Sequence, residues 1–454
     1  MTVATKGSAA AIADFVVAGS PPAAARQRAA AAICDTAGVI LAGATEPAAR
    51  MVQQMVAEES RGDCRVLGTA ATAGPGGAAL ANGVAAHALD FDDMCFVSLA
   101  HPSCALVPAI LAAGEIAHAP GAALLDAYVV GFEVECRLGI VMNPRHYHER
   151  GWHCTSTIGT LGAAAASARV LGLRADQTRV ALGIAASAAG GLKENMGSMV
   201  KPLHAGMAAR NGLMAARLAA RGFTASADAL DGPQGFLAAM DGEHRTLDPA
   251  AADLGVRWEI LETGITVKLY PSCAATHPPL DALLDLKGET GFTHEDVESI
   301  DVEVDSMTPR LLLYDRPTTG LEAKFSMPFC AAAALVLGHP RVDTFENPAI
   351  DDRAVQALMT RVRMRANPAF DETAPLSRAL VTVALRDGRV LTRAADGARG
   401  YPGRLSSDEL AAKFASCAST ALSSAASASA WNGLQEIEKM SDIRQLTALL
   451  VSAP

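Results

Sequence analysis

The chain has 454 residues, more than one hydrophobic core ordinarily serves, so two domains are expected. Half of it is hydrophobic, yet only 4% is aromatic and 19% charged, which points to closely packed helices with alanine at their contacts. A formal net charge of −10 argues against a nucleic-acid or anionic-membrane surface, so an anionic ligand would need a local basic site.

Residues 1–19 are expected to form a first helix rather than a cleaved leader, because Asp14 interrupts the apolar stretch and no cleavage pattern follows. Apolar residues at helical spacing then predict helices over 24–42, 78–91, 104–117, 125–142, 160–171 and 203–221. Strand character there is confined to a short piece at 65–67. No run of about 18 strongly apolar residues predicts a membrane span. The nine cysteines contain neither a C-x-x-C pair nor zinc spacing, as expected for reduced, buried thiols of a cytoplasmic protein.

After about residue 264 the texture changes. Strict alternation predicts strands at 299–305, 362–365 and 380–385, and Arg386-Asp-Gly-Arg389 predicts a hairpin turn into a strand at 390–393. Helices are expected between them at 278–286, 325–337 and 352–360, and again at 410–424 and 434–451. The fold class is therefore mainly α with an α+β insertion. Residues 1–264 form a large all-helical domain, 265–395 a smaller α+β lid, and 396–454 are C-terminal helices rejoining the helical domain.

Chemistry concentrates in His87-Ala-Leu-Asp-Phe-Asp-Asp93 and His101-Pro-Ser103. On a helix His87, Asp90 and Asp93 are three apart and share one side, which would converge them on one pocket. Asp92 and Asp93 are read against a solvated helix end. Two carboxylates and a histidine could hold a divalent ion, but the spacing matches no specific ligand set, so no metal is expected. His101-Pro102, Lys201-Pro202 and His277-Pro278 each set a basic residue before a proline that opens a helix, where unbonded N–H groups favour an anion. His153 precedes Thr/Ser capping residues in the same way. Ser198-Met-Val-Lys201 fits the S-x-x-K of acyl-serine enzymes, but the companion triplets are missing.

Several runs in order along the chain resemble the MmgE/PrpD family: Ala81-Asn-Gly-Val-Ala-Ala-His-Ala-Leu-Asp-Phe-Asp-Asp93, His101-Pro-Ser103, Gly151-Trp-His153 with Gly159-Thr-Leu-Gly162, Lys201-Pro-Leu-His-Ala-Gly206, and Lys268-Leu-Tyr-Pro-Ser-Cys273 with His277. That family includes 2-methylcitrate dehydratase, cis-aconitate decarboxylase and iminodisuccinate epimerase. The resemblance implies a helical domain with a lid, a homodimer, and cofactor-free acid/base chemistry on a small anionic carboxylate; the acidic net charge adds the expectation of no nucleic-acid or membrane partner. By motif it implies Asp90, His101, His153, Lys201 and His277 as pocket residues, with His277 completing the site from the lid. Tyr147, in Arg145-His-Tyr-His148, is a further acid/base candidate. His87, Asp93, Met94, His204, Lys268 and Tyr270 are candidate substrate-binding residues. Three features depart from the decarboxylase pattern: Met94 stands where threonine follows the acidic run, one extra residue precedes His101, and Phe329 stands where a pocket tyrosine is found.

The leading expectation is a cofactor-independent lyase, a dehydratase or decarboxylase acting at carbon next to a carboxylate of a small di- or tricarboxylate. An epimerase or isomerase of a dicarboxylate such as iminodisuccinate is the close alternative. An inactive helical binding protein is the other, and it predicts erosion of the pocket positions, which the sequence does not show.

Overall fold

The computed structural model describes residues 8–241, 246–373 and 378–452, so the first seven residues of the expected leading helix lie outside them. Two units emerge from the contacts. The first comprises residues 8–88, 92–266 and 406–452, the second 89–91 and 267–405.

The first unit is helical. Its main elements are α1 (Ser8–Ala18), α2 (Ala23–Gly43), α3 (Pro75–Ala88), α4 (Pro102–Ala117), α5 (Gly121–Met142), α6 (Cys154–Val170) and α7 (Val200–Ala220). The alanine content explains their packing. Ala79 of α3, Ala109, Ala112 and Ala113 of α4, Ala163 of α6, and Ala209 and Leu213 of α7 form one buried cluster. Small side chains allow helix axes to approach closely, and in places even alanine is too large. A Cβ added at Gly83 would lie 2.7 Å from Gly206 Cα, and one at Gly212 would lie 2.5 Å from Ala163 Cβ. The Gly83–Gly206 contact brings the end of α3, carrying His87, against the start of α7, carrying Lys201 and His204.

Near the C-terminus, helices Ser407–Ala418 and Ser424–Gln435 belong to this unit. Lys413 Nζ lies 2.6 Å from Asp35 Oδ1 of α2, with both side chains buried. Removing one partner of such a pair strands a charge in the core, at a cost of about 3–5 kcal/mol. The helix expected over 434–451 is not continuous; only the short turns Ile437–Lys439 and Arg444–Thr447 form. Backbone groups that would close a helix are used elsewhere: Met440 C=O accepts from Gly121 N–H, and Ile443 N–H donates to Ala119 C=O. The helix expected over 78–91 also stops early, at Ala88. Asp90 has φ +52°, a left-handed conformation that a right-handed helix cannot continue through.

Glu135 of α5 is fully buried, and neither of its oxygens has a hydrogen-bond partner among the described residues. Gly162 of α6 leaves the room for it, since a Cβ there would overlap the glutamate side chain. Desolvation pushes the Glu135 carboxyl well above its usual range, with Cys95 and Asp93 adding to the effect, so the neutral acid is the buried species.

The second unit contains α8 (His277–Thr290), α9 (Met327–Val336) and a four-stranded sheet of β1 (Val297–Val304), β2 (Val362–Ala366), β3 (Arg378–Leu385) and β4 (Val390–Asp396). The strand order is β2-β1-β3-β4. β1 pairs parallel with β2 (Val302 opposite Met364) and antiparallel with β3 (Val302 opposite Val381). The parallel pairing is possible because a long crossover containing α9 joins β1 to β2. Alternation buries one face of β1 and β3, through Ile300, Val302, Val304, Val381 and Val383, beneath α8 and α9. The β3–β4 turn forms at Asp387-Gly388 as its chemistry predicts, with Gly388 at φ +87°.

Glu135→Gln retains the shape of the buried acid and removes its ionisation. A carboxyl with a raised folded-state pKa contributes fully below its unfolded value of 4.5, and the contribution is lost as pH climbs towards the folded value. The wild-type melting temperature should therefore fall relative to Glu135→Gln as pH rises from about 4.5. A wild type that gains on the variant with rising pH would contradict a neutral Glu135.

Candidate active site

The link between α3 and α4 carries the acidic run, and it is not a helix. Asp92 is fully buried there, with both carboxylate oxygens on one imidazole: His87 Nδ1 lies 2.9 Å from Oδ1 and 2.8 Å from Oδ2. His101, the N-cap of α4, has its Nδ1 3.6 Å from Asp92 Oδ2 and 2.8 Å from the backbone oxygen of Asp93. A carbonyl oxygen only accepts, so Nδ1 carries the proton and the neutral ring keeps its lone pair on Nε2. The His87 and His101 rings lie 4.6 Å apart. His101 is the partly exposed member of the group, with 14% of its side chain accessible.

The cluster continues through His153, the N-cap of α6, whose ring lies 5.9 Å from that of His87. His153 Nδ1 is 3.1 Å from Nδ1 of His204 on α7. Two nitrogens at that distance need one proton between them, so the neutral rings hold opposite tautomers. Desolvation pushes His153 well below the ordinary histidine range, and it lowers His204 to about 4. The charges of His87 and Lys201 push both in the same direction. Lys201 itself is buried on the first turn of α7. The helix-start pattern therefore divides: His101 and His153 cap their helices, whereas Lys201 is the second residue of α7 and His277 the first of α8.

The other candidates make contacts of their own. Asp90 lies in the second unit, where buried Lys268 Nζ donates to its Oδ1 at 2.7 Å and to its backbone oxygen at 2.9 Å. Tyr270 OH donates to Asp281 Oδ1 at 2.6 Å, and burial raises its phenol pKa. Its ring is flanked by His277 at 5.0 Å and His339 at 4.8 Å. His277 Nε2 donates to the Ser272 carbonyl at 3.3 Å, which leaves the neutral ring's lone pair on Nδ1. Phe329 is buried against Phe345. Tyr147 carries the Lys193 ammonium 4.1 Å over its ring, while the adjacent His146 points inward to Thr157 at 2.7 Å. Met94 forms a backbone bridge with Thr266, and Asp93 directs its carboxylate at Ser103.

Asp92 is thus the carboxylate that the helical reading missed. His87 and Asp92 are five apart, a spacing no helix face brings together, and only the left-handed turn at Asp90 makes them meet. Ligand atoms of His87, Asp92 and His101 lie within 4.8 Å of one another, close enough to suit a divalent ion. Both Nδ1 atoms, however, already face oxygen acceptors as N–H donors, so metal ligation through them would require their protons to leave. The donor set fits a hydrogen-bonded acid/base group better.

In an NMR titration, the His204 ring should stay neutral down to about pH 4, and His153 should stay neutral well below the ordinary histidine range. Protonation of either near the ordinary value of 6.5 would contradict the buried, paired arrangement.

Known families match this chain over most of its length. The MmgE/PrpD N-terminal domain matches residues 9–246 and the MmgE/PrpD C-terminal domain residues 270–436. A cis-aconitate decarboxylase-like protein of Aspergillus oryzae is 30% identical over 452 residues, covering 94% of this chain and 93% of that protein. Human cis-aconitate decarboxylase is 31% identical over 385 residues, 82% of this chain and 79% of that one. The Aspergillus terreus cis-aconitate decarboxylase is 26% identical, covering 93% and 91%. The chain belongs to the MmgE/PrpD family and is an enzyme of its decarboxylase/dehydratase type.

Proposed function

We propose that this enzyme decarboxylates a small unsaturated polycarboxylate of the cis-aconitate class, without a metal or organic cofactor. The observation that carries the reading is the pairing of one solvent-accessible imidazole, backed by a buried carboxylate, with neutral imidazoles and a buried lysine beside it. The names of the similar proteins supply the substrate class.

A carboxylate one carbon removed from a double bond loses CO2 when the breaking C–C bond's electrons form a new double bond. The old double bond's electrons then take a proton at its far carbon. One proton enters and one CO2 leaves. The step needs an acid at the far carbon, a cation for the retained carboxylates, and no charge that would hold the departing one. His101 serves as the acid: with Nδ1–H held by the Asp93 carbonyl, its second proton sits on Nε2, and Asp92 at 3.6 Å stabilises the imidazolium. Lys201 binds a retained carboxylate near the first turn of α7, where the helix dipole adds to its charge. His153 and His204, held neutral, can donate hydrogen bonds without anchoring the leaving carboxylate as a cation would.

Incubation with cis-aconitate in deuterated water should release one CO2 per product and place one deuterium on the former double-bond carbon. Turnover should persist after exhaustive chelation. His101→Gln should lower kcat by about 10²–10⁴-fold. Lys201→Ala should lower kcat/KM by roughly 10–100-fold, the worth of a charged hydrogen bond. Exchange with inversion and no CO2 would identify an epimerase instead, and wild-type turnover in both variants would overturn the site.

A further inference from the structure

Asp93 turns its side chain away from the histidines and into the core. Its Oδ2 accepts from the hydroxyl of Ser103, and its Oδ1 lies 3.2 Å from the Ser103 backbone N–H. Ser103 Oγ in turn lies 2.5 Å from the hydroxyl of Tyr128 on α5. All three residues are fully buried. Ser103 donates its one proton to Asp93 Oδ2, so Tyr128 O–H donates to Ser103 Oγ and the chain runs in one direction. The other end of Asp93 meets the site, because its backbone carbonyl accepts from His101 Nδ1 at 2.8 Å. The alternative acceptor for that nitrogen is Asp92 Oδ2, at 3.6 Å and already engaged by His87.

We propose that Ser103 and Tyr128 are positioning residues for His101. By clamping the Asp93 side chain from two neighbouring helices, they aim the Asp93 carbonyl at Nδ1, which fixes the ring's orientation and keeps Nε2 as the nitrogen that takes up and delivers the catalytic proton. The clamp belongs to the start of α4, since Ser103 is the second residue of the helix that His101 caps. Cap, carbonyl and imidazole are thereby referred to one rigid element. The effect of Ser103 and Tyr128 passes through Asp93.

The test uses Ser103→Ala, which removes the link, and Tyr128→Phe, which removes one hydroxyl at almost constant volume. Nitrogen-15 NMR of His101 in the substrate-free protein reports the tautomer directly. The wild type should show the Nδ1–H form, Ser103→Ala a mixture with the Nε2–H form, and Tyr128→Phe a smaller change in the same direction. The kinetic role rests on the proposed decarboxylation: kcat should drop about 10–100-fold in Ser103→Ala, with KM changed less than about threefold. Folded variants that keep the wild-type nitrogen signature and kcat, and lose only melting temperature, would overturn the proposal. If the wild type does not decarboxylate but the tautomer shifts as described, the positioning role stands and the functional reading fails.

Discussion

A carboxylate without solvent must be surrounded by donors, and Asp92 meets that requirement by holding His87 through both oxygens and standing behind His101. The local architecture can be followed outward from this group. The left-handed residue at Asp90 ends α3 early enough for Asp92 to turn back on His87. His101 can face the same carboxylate because it caps α4 instead of lying within it. The remaining imidazoles follow by contact, His153 beside His87 and His204 beside His153. Four rings and one carboxylate thus share few protons, and their chemistry is set by which nitrogen each proton occupies.

The alanine-rich helices matter to that chemistry through distance. A site made of helix ends needs those ends close together, and bulky contacts would spread them. Glycine and alanine at the α3, α4, α6 and α7 contacts remove the bulk, most completely where Gly83 meets Gly206. The same close packing excludes water, which keeps His153 and His204 neutral and makes Glu135 a buried neutral acid. Low aromatic content and an unusual concentration of buried titratable groups have one origin in this reading: small side chains form a dry interior around a few large polar ones.

Much of this was legible in the sequence. Apolar periodicity located α2 through α7 within a few residues, and strict alternation located β1, β3 and the hairpin. His101 stood out because a basic residue before a helix-opening proline is a local signal with a local cause. What could not be read was the part Asp92 plays. Spacing on a helix selected Asp90, but the chain leaves the helix at Ala88, and Asp92, read as a solvated end, turns back onto His87. That turn depends on one backbone angle, and no side-chain pattern encodes it. Ser103 stood in a recognised motif, but its tie to Asp93 and Tyr128 was invisible for a related reason: a hydroxyl bonded to a distant carboxylate leaves no periodic trace. The broken helix after Gln435 reflects competition from the Ala119–Gly121 backbone, a tertiary effect that propensity does not contain.

The central claim is that Asp92 orients and supports the proton-carrying histidine. Asp92→Asn keeps the shape of the side chain while removing its charge and offering His87 an amide in place of a second acceptor. Its turnover number, measured on cis-aconitate with the fold verified by thermal unfolding, tests the claim most directly. A fall of about 10²–10⁴-fold, with KM nearly unchanged, is the predicted result. A folded Asp92→Asn enzyme turning over within about threefold of wild type would contradict it.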